Sequence, residues 1–167
     1  MHLFSFDRDS TVAVKDDYPA PLIPVEWVRY LAHETEHIVW AHGNQKLKEE
    51  ADIPGDDQAL RLYEEYWGDP VKHVEARKRA EMEDWLKNPG KGPDPDIITA
   101  LARYKEDETE RPSRAQRVRL VGNLHPECKK FIVIDNRYLG YIKGWLHYFP
   151  WDFYNLFDQL GSLGTLT

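Results

Sequence analysis

The segment Phe131-Ile132-Val133-Ile134 is an unbroken apolar run, mostly β-branched, that stops at an acid, Asp135. It has no alternation of apolar and polar residues, so it suits a strand buried on both sides, as in a parallel sheet covered by helices. Two other segments share this form. Leu3 to Phe6 are apolar apart from Ser5 and run straight into Asp7-Arg8-Asp9. His37-Ile38-Val39-Trp40-Ala41-His42 is apolar at its centre and stops at Gly43-Asn44. Trp145 to Tyr148 reads as a weaker fourth strand.

Helical patterns fill the intervals. Residues 13–24 are rich in proline and acid and read as a loop, with Pro24 suited to the first turn of a helix carrying Val25, Val28, Leu31 and Ala32 on one stripe. Gln45 to Ala51 form a second helix, and Leu60, Tyr63 and Trp67 mark a third. Asp69-Pro70 opens a longer one with a stripe of Val71, Val74, Lys78, Met82 and Trp85, and Asn88 to Pro93 breaks it. Ile97, Ile98, Leu101 and Tyr104 give a further helix, Ser113 caps another with Val118, Val121 and Leu124, and Pro150 opens the last with Phe153, Leu156, Phe157 and Leu160.

Strands alternating with helices predict an α/β fold, a three-layer, Rossmann-like parallel sheet with helices on both faces. The 167 residues suit a single domain over 1–167, in which about 56–110 is a small helical insertion or a set of packing helices. Ligands in such sheets bind beyond the carboxyl ends of the strands. Three predicted strands end there in polar residues: Asp7 and Asp9, Gly43-Asn44, and Asp135-Asn136.

Composition narrows the partners. Asp and Glu number 29 against 22 Lys and Arg, a formal charge of −7, which argues against a protein that coats nucleic acid. The single cysteine, Cys128, excludes an internal disulfide and a Cys-rich zinc module. No apolar run approaches the roughly 20 residues of a membrane span, and the first residues lack the basic start and apolar stretch of a signal peptide. The expectation is a soluble, cytoplasmic protein that does not engage membranes.

Asp7 and Asp9 stand at i and i+2 just past a strand, so in an extended chain they point to the same side. Two adjacent acids both stay ionised if a hard cation such as Mg²⁺ lies between them, with Asp135 from another strand completing the set. One carboxylate could then attack phosphorus while the other moves a proton. The plainer alternative is two solvated acids in a turn and a third that caps the next element.

The segment Phe4-Ser5-Phe6-Asp7-Arg8-Asp9-Ser10-Thr11-Val12 resembles motif I of the haloacid dehalogenase (HAD) superfamily, an apolar strand followed by D-x-D-x-T. Ile38 to Gln45 resembles motif II, and Phe131 to Asn136 the strand of motif IV. The likeness covers about 1–50 and 111–160. A group of archaeal HAD-like proteins looks similar over the F-D-R-D opening, Glu26 to Thr35, Gly43-Asn44-Gln45 and the G-W-x-H-Y segment from Gly144 to Tyr148. Most members of the superfamily are Mg²⁺-dependent phosphohydrolases that pass through an aspartyl-phosphate.

The resemblance implies Asp7 as nucleophile and metal ligand, Asp9 as general acid/base with its carbonyl on the metal, and Asp135 as a further ligand. It also implies a small phosphorylated substrate. Gly43 stands where motif II usually has a phosphate-binding Ser or Thr, leaving backbone amides and the Asn44 side chain for that role. The usual motif III lysine is replaced near Arg111-Pro112-Ser113-Arg114 by arginines, which hold phosphate bidentately. Asn136 takes the place beside Asp135 where a second acid is common, so the metal site carries less negative charge. The short loop after motif I leaves no room for a large cap. These departures keep open a second reading, a HAD-fold binding or regulatory protein without turnover.

Two further signals compete. His33-Glu34-Thr35-Glu36-His37 matches H-E-x-x-H, the pattern of a zinc peptidase, which needs both histidines on one helix. The aromatic run from Trp145 to Phe157 reads mainly as core, its surplus a patch for homodimer formation.

Overall fold

The computed structural model describes residues 1–13, 22–79 and 93–160, with backbone alone at 77–79 and 157–160. The chain divides into two compact units, one built from Met1–Asp56 and His125–Thr167, the other from Asp57–Leu124. The expected helical insertion at about 56–110 falls almost entirely in the second. The break predicted at Asn88–Gly92 lies outside the described residues, as do Met82 and Trp85 of the predicted stripe, and nothing is described of the Lys78 and Phe157 side chains.

The first unit carries strands β1 (His2–Phe6), β2 (Val12–Ala13), β3 (Ile23–Pro24), β4 (Ile38–Ala41), β5 (Lys130–Ile134) and β6 (Trp145–Tyr148). Four of them form one sheet in the order β4-β1-β5-β6, and every pair is parallel. The two-residue strands β2 and β3 form a separate parallel pair that the sequence pattern does not show. Helices α1 (Val25–His33), α2 (Lys46–Ala51) and α7 (Pro150–Leu160) belong to this unit.

Register explains the core. Phe4 lies opposite Val39 and Ile132, and Phe6 opposite Ala41 and Ile134. These six share one face and pack with Val25, Val28 and Leu31 of α1, Leu47 and Ala51 of α2 and Phe153 of α7. The alternate positions Leu3, Ser5, Trp40 and Val133 point the other way and are buried as well. Two buried faces account for the continuous apolar runs. The aromatic tail divides accordingly: Trp145 and Phe153 are buried, Tyr148 and Tyr154 pack against the core, and Trp151 is exposed.

Helix α1 ends where its sequence stops supporting it. The Thr35 hydroxyl donates to the Leu31 carbonyl at 2.5 Å and accepts from the His37 amide at 3.1 Å, and this turn leads into β4. His33 is therefore the last helical residue, with Nε2 at 3.1 Å from the Ala51 carbonyl, whereas His37 accepts from the His2 amide at 3.0 Å and stacks on the His2 ring. The two histidines share no helical face, so the geometry that H-E-x-x-H requires is not formed.

The second unit is helical: α3 (Asp56–Trp67, its first residue in the sheet unit), α4 (Pro70–Arg79), α5 (Pro95–Glu106) and α6 (Arg114–Leu124). Asp94 caps α5 by accepting from the Ile97 amide at 3.0 Å. Ser113 and Gln116 cap α6 reciprocally, side chain to backbone in both directions, at 3.2 and 2.8 Å. Helix α5 packs on α4 and α6 and buries Ile97, Ile98, Leu101 and Tyr104. No described helix is long and apolar enough to cross a membrane.

Phe153 tests the packing of the sheet unit. Its ring is fully buried and meets Phe4, Phe6 and Tyr148 edge-on, with centroids 5.8–6.2 Å apart. Phe153→Ala is expected to cost about 3–5 kcal/mol. In urea unfolding the midpoint should fall with little change in slope.

Candidate active site at the strand ends

The sheet order places β1 between β4 and β5, and the chain leaves β1 toward β4 before returning to β5 on its other side. The carboxyl ends of β1 and β5 thus flank a topological switch point, where open α/β sheets bind ligands. Asp7 and Asp135 are the first residues past those two strands. The ladder continues one step beyond them, with the Asp7 amide donating to the Ile134 carbonyl at 3.0 Å and the His42 amide to the Phe6 carbonyl at 3.1 Å. His42, Asp7 and Asp135 therefore stand at one level on three adjacent strands.

The two acids are buried, Asp7 keeping 2% and Asp135 none of its surface. Asn136 joins them. With its amide nitrogen turned toward the carboxylates, it donates to Asp7 Oδ2 at 2.9 Å and to Asp135 Oδ1 at 3.2 Å. The two oxygens are then no more than about 6 Å apart, the sum of those contacts. The Thr11 hydroxyl donates to Asp7 Oδ2 at 3.2 Å and accepts from the Asn136 backbone N–H at 3.1 Å, and the Arg137 backbone N–H donates to Asp135 Oδ1 at 2.8 Å.

Asp9 goes elsewhere. The chain does not stay extended after Asp7: the Thr11 and Val12 amides both return to the Arg8 carbonyl, at 3.2 and 2.9 Å, with Ser10 left-handed at φ 57°. This turn sends the Asp9 carboxylate outward, where its side chain is 64% exposed. There it accepts from Arg8 Nη1 at 2.9 Å and from the Asn44 amide at 3.2 and 3.3 Å. Partial burial works to raise the Asp9 pKa. The hydrogen bonds from Asn44 and Arg8 and the charges of Arg8 and Lys46 outweigh it and hold the carboxyl below the ordinary range. Arg8 also grips Glu50 through Nε and Nη2, at 2.5 and 3.0 Å, and this tie raises its already high pKa.

Gly43 closes over Asp7. A Cβ built at position 43 would lie 1.9 Å from Asp7 Oδ1 and 3.2 Å from Asp7 Cα. The absence of a hydroxyl residue here is thus a steric requirement of this strand-end arrangement, which the sequence alone did not reveal. Gln45 secures the turn by donating to the Gly43 carbonyl at 3.0 Å and accepting from the Asp56 amide at 2.8 Å.

The predicted residues therefore gather only in part. Asp7, Asp135, Asn136 and Gly43 converge, while the side chains of Asp9 and Asn44 pair with each other at the exposed margin. Arg111 and Arg114 belong to the second unit, Arg114 as the first residue of α6. Arg111 lines an open pocket of about 100 Å³ there with Asp96, Arg103, Glu110 and Gln116.

Sequence reasoning missed the role of Ser5 and His42. His42 Nε2 lies 2.8 Å from Asp135 Oδ2, and His42 Nδ1 lies 2.7 Å from Ser5 Oγ. All three side chains are buried, Ser5 and Asp135 fully. The order Ser–His–Asp is that of a hydrolase triad, yet Ser5 sits inside β1 with none of its surface exposed, so its hydroxyl is no nucleophile for an outside substrate. The available signal was a polar residue at position 5, out of pattern in a buried strand.

Among the described residues no group of three or more His, Cys, Asp or Glu side chains is arranged to hold a metal ion. The groups at the switch point able to ligate a cation are the two carboxylates, because Asn136 turns its amide nitrogen toward them and is not placed as the ligand expected from sequence. That set is too hard and too small for a structural zinc site, but it suits Mg²⁺, which keeps several waters and binds through one or two carboxylates and a substrate phosphate. The Asn136 amide, its partial positive charge directed at both acids, shows that the site already favours positive charge between them.

No known protein family, curated protein or solved structure matches this chain.

Two outcomes are expected. Gly43→Ala should displace Asp7 and cost about 1–3 kcal/mol through overpacking, read by chemical denaturation. The Asp9 pKa is depressed in the folded chain, so the stability it contributes is present above its unfolded pKa of about 3.9 and is lost as pH falls through the folded value. The stability gap between wild type and Asp9→Asn should hold steady above about pH 5 and shrink below about pH 4. A gap independent of pH would show that the Arg8 and Asn44 contacts do not bias Asp9 toward its charged form.

Proposed function

We propose that the protein is a Mg²⁺-dependent phosphohydrolase of HAD type, acting on a small phosphorylated substrate through an aspartyl-phosphate at Asp7. One observation carries the reading: Asp7 and Asp135 arrive side by side from β1 and β5 at the switch point and share the Asn136 amide. The strand order β4-β1-β5-β6, with the D-x-D-x-T segment after the central strand, supports it. The finer fold assignment, a three-layer HAD-type sheet without a large cap, is part of the same proposal.

Asp7 Oδ2 is engaged by Thr11 and Asn136, whereas Oδ1 faces the Gly43 turn. On this reading Oδ1 attacks phosphorus, the bond from phosphorus to the leaving oxygen breaks, and Asp9 supplies the proton that oxygen takes up. Asp9 then removes a proton from water, whose oxygen attacks phosphorus and releases Asp7 and inorganic phosphate. Asp7 and Asp135 would hold Mg²⁺, which supplies charge neutralisation for the phosphoryl oxygens. Backbone amides of the Gly43-Asn44 turn orient those oxygens. Asp9 must part from Arg8 and Asn44 before it carries a proton, because both favour its ionised form. The 2% exposure of Asp7 also means that the turn around it must open for a substrate.

The ties on Asp9 favour a second reading, a protein that binds Mg²⁺ or phosphate without turnover. Hydrolysis of an aryl phosphate distinguishes the two. Under the first, Mg²⁺-dependent turnover is abolished by EDTA and falls on the order of 10³-fold or more in Asp7→Asn; Asp9→Asn lowers it by about 10²- to 10⁴-fold. Mg²⁺ binding by calorimetry with no turnover establishes the second.

A further inference from the structure

The polar chain behind Asp135 has a place in this site that goes beyond the residues of the chemistry. His42 follows β4 and Asp135 follows β5, two strands separated by β1. The imidazole therefore spans the width of β1, a distance of two strand spacings from backbone to backbone, roughly 9–10 Å, to reach Asp135 Oδ2. It contacts β1 on the way through Ser5. With the Asp135 carboxylate as acceptor, His42 Nε2 is the donor toward it and Nδ1 faces the Ser5 hydroxyl.

This arrangement sets the rotation of the Asp135 carboxylate. Oδ2 is held back toward His42, which turns Oδ1 to the Arg137 amide and to Asn136, on the side of Asp7. Removing the imidazole takes away the contact that draws Oδ2 toward β4, and with it that restraint on the carboxylate's rotation. The apolar neighbours of His42 in β4, and its complete burial, leave it no contact with a substrate. Its action runs through Asp135.

We propose that His42, fixed in turn by Ser5, is a positioning residue that holds Asp135 Oδ1 toward Asp7 for a divalent cation. The inference rests on the metal-dependent reading above and adds residues that the resemblance does not supply. Partners that orient a ligating carboxylate typically change metal affinity by about 10- to 100-fold when removed.

The test is Mg²⁺ and Mn²⁺ binding to the full chain by titration calorimetry, with thermal unfolding of each metal-free variant measured in parallel. His42→Leu removes the donor and should weaken binding by about 10- to 100-fold. His42→Gln keeps an amide donor at nearly the reach of Nε2, and should retain affinity within about threefold of wild type. Ser5→Ala keeps the imidazole but frees its far side, and should fall between the two. A purely structural role would lower the unfolding temperature and leave affinity alone, or would leave His42→Gln as impaired as His42→Leu; either result overturns the proposal. If His42→Leu does not fold, Ser5→Ala binding as tightly as wild type overturns it as well. Wild-type binding that Asp7→Asn abolishes but His42→Leu leaves unchanged sinks this inference alone, whereas no metal binding by wild type sinks the metal-dependent function with it.

Discussion

The backbone pairing of β1 with its two neighbours governs the rest of the molecule. It does not stop where the strands stop: the amides of Asp7 and His42 still donate into the ladder, to Ile134 and Phe6. Three side chains that would otherwise belong to loops are thereby held with the precision of a sheet. Phe4, Phe6, Ile132 and Ile134 anchor that ladder from one face, and Leu3 and Val133 from the other. Apolar burial fixes the strands, the strands fix the ladder, and the ladder fixes two acids within reach of one amide.

Elements that depend on burial were legible from sequence. The four sheet strands follow from short apolar runs, and the helices from stripes such as Val25, Val28 and Leu31. The rim of polar strand ends follows from where each run stops. Features that depend on a local backbone choice were not legible. Ser10 takes a left-handed conformation with no glycine to announce it, and that choice separates Asp9 from Asp7. The close approach of Gly43 to Asp7 and the reach of His42 across β1 depend on strand order, which no single segment encodes. The H-E-x-x-H pattern lies at the opposite extreme: a recognisable motif is undone because the helix ends at His33, between its histidines, and the Thr35 hydroxyl holds the turn into β4.

The loop carrying Asp9 is tied to the crossover helices through Arg8 and to the strand ends through Thr11. Glu50 of α2 gives its carboxylate to Arg8, and its carbonyl accepts from Arg29 of α1 at 2.8 Å. One residue thus links the outer acid to both helices that follow β1. The inner acids are placed by the ladder, and Thr11, Asn136, the Arg137 amide and His42 hold their carboxylates. The site therefore has an inner pair placed by the strand ends and an outer carboxylate whose partner Arg8 is anchored on α2, with Thr11 joining the two.

The trio of Ser5, His42 and Asp135 also bears on how this sequence can change over generations. Removing one member of a buried polar set takes a contact from each of the others, at a cost of about 1–3 kcal/mol, whereas replacing both partners by apolar groups of similar shape is often nearly neutral. The three positions are then coupled, and no single substitution leads smoothly from the polar state to an apolar one. Lineages that keep the trio and lineages that lack it should be separated by a valley rather than a gradient, with residue 42 restricted to side chains that donate toward residue 135 wherever Asp135 is kept.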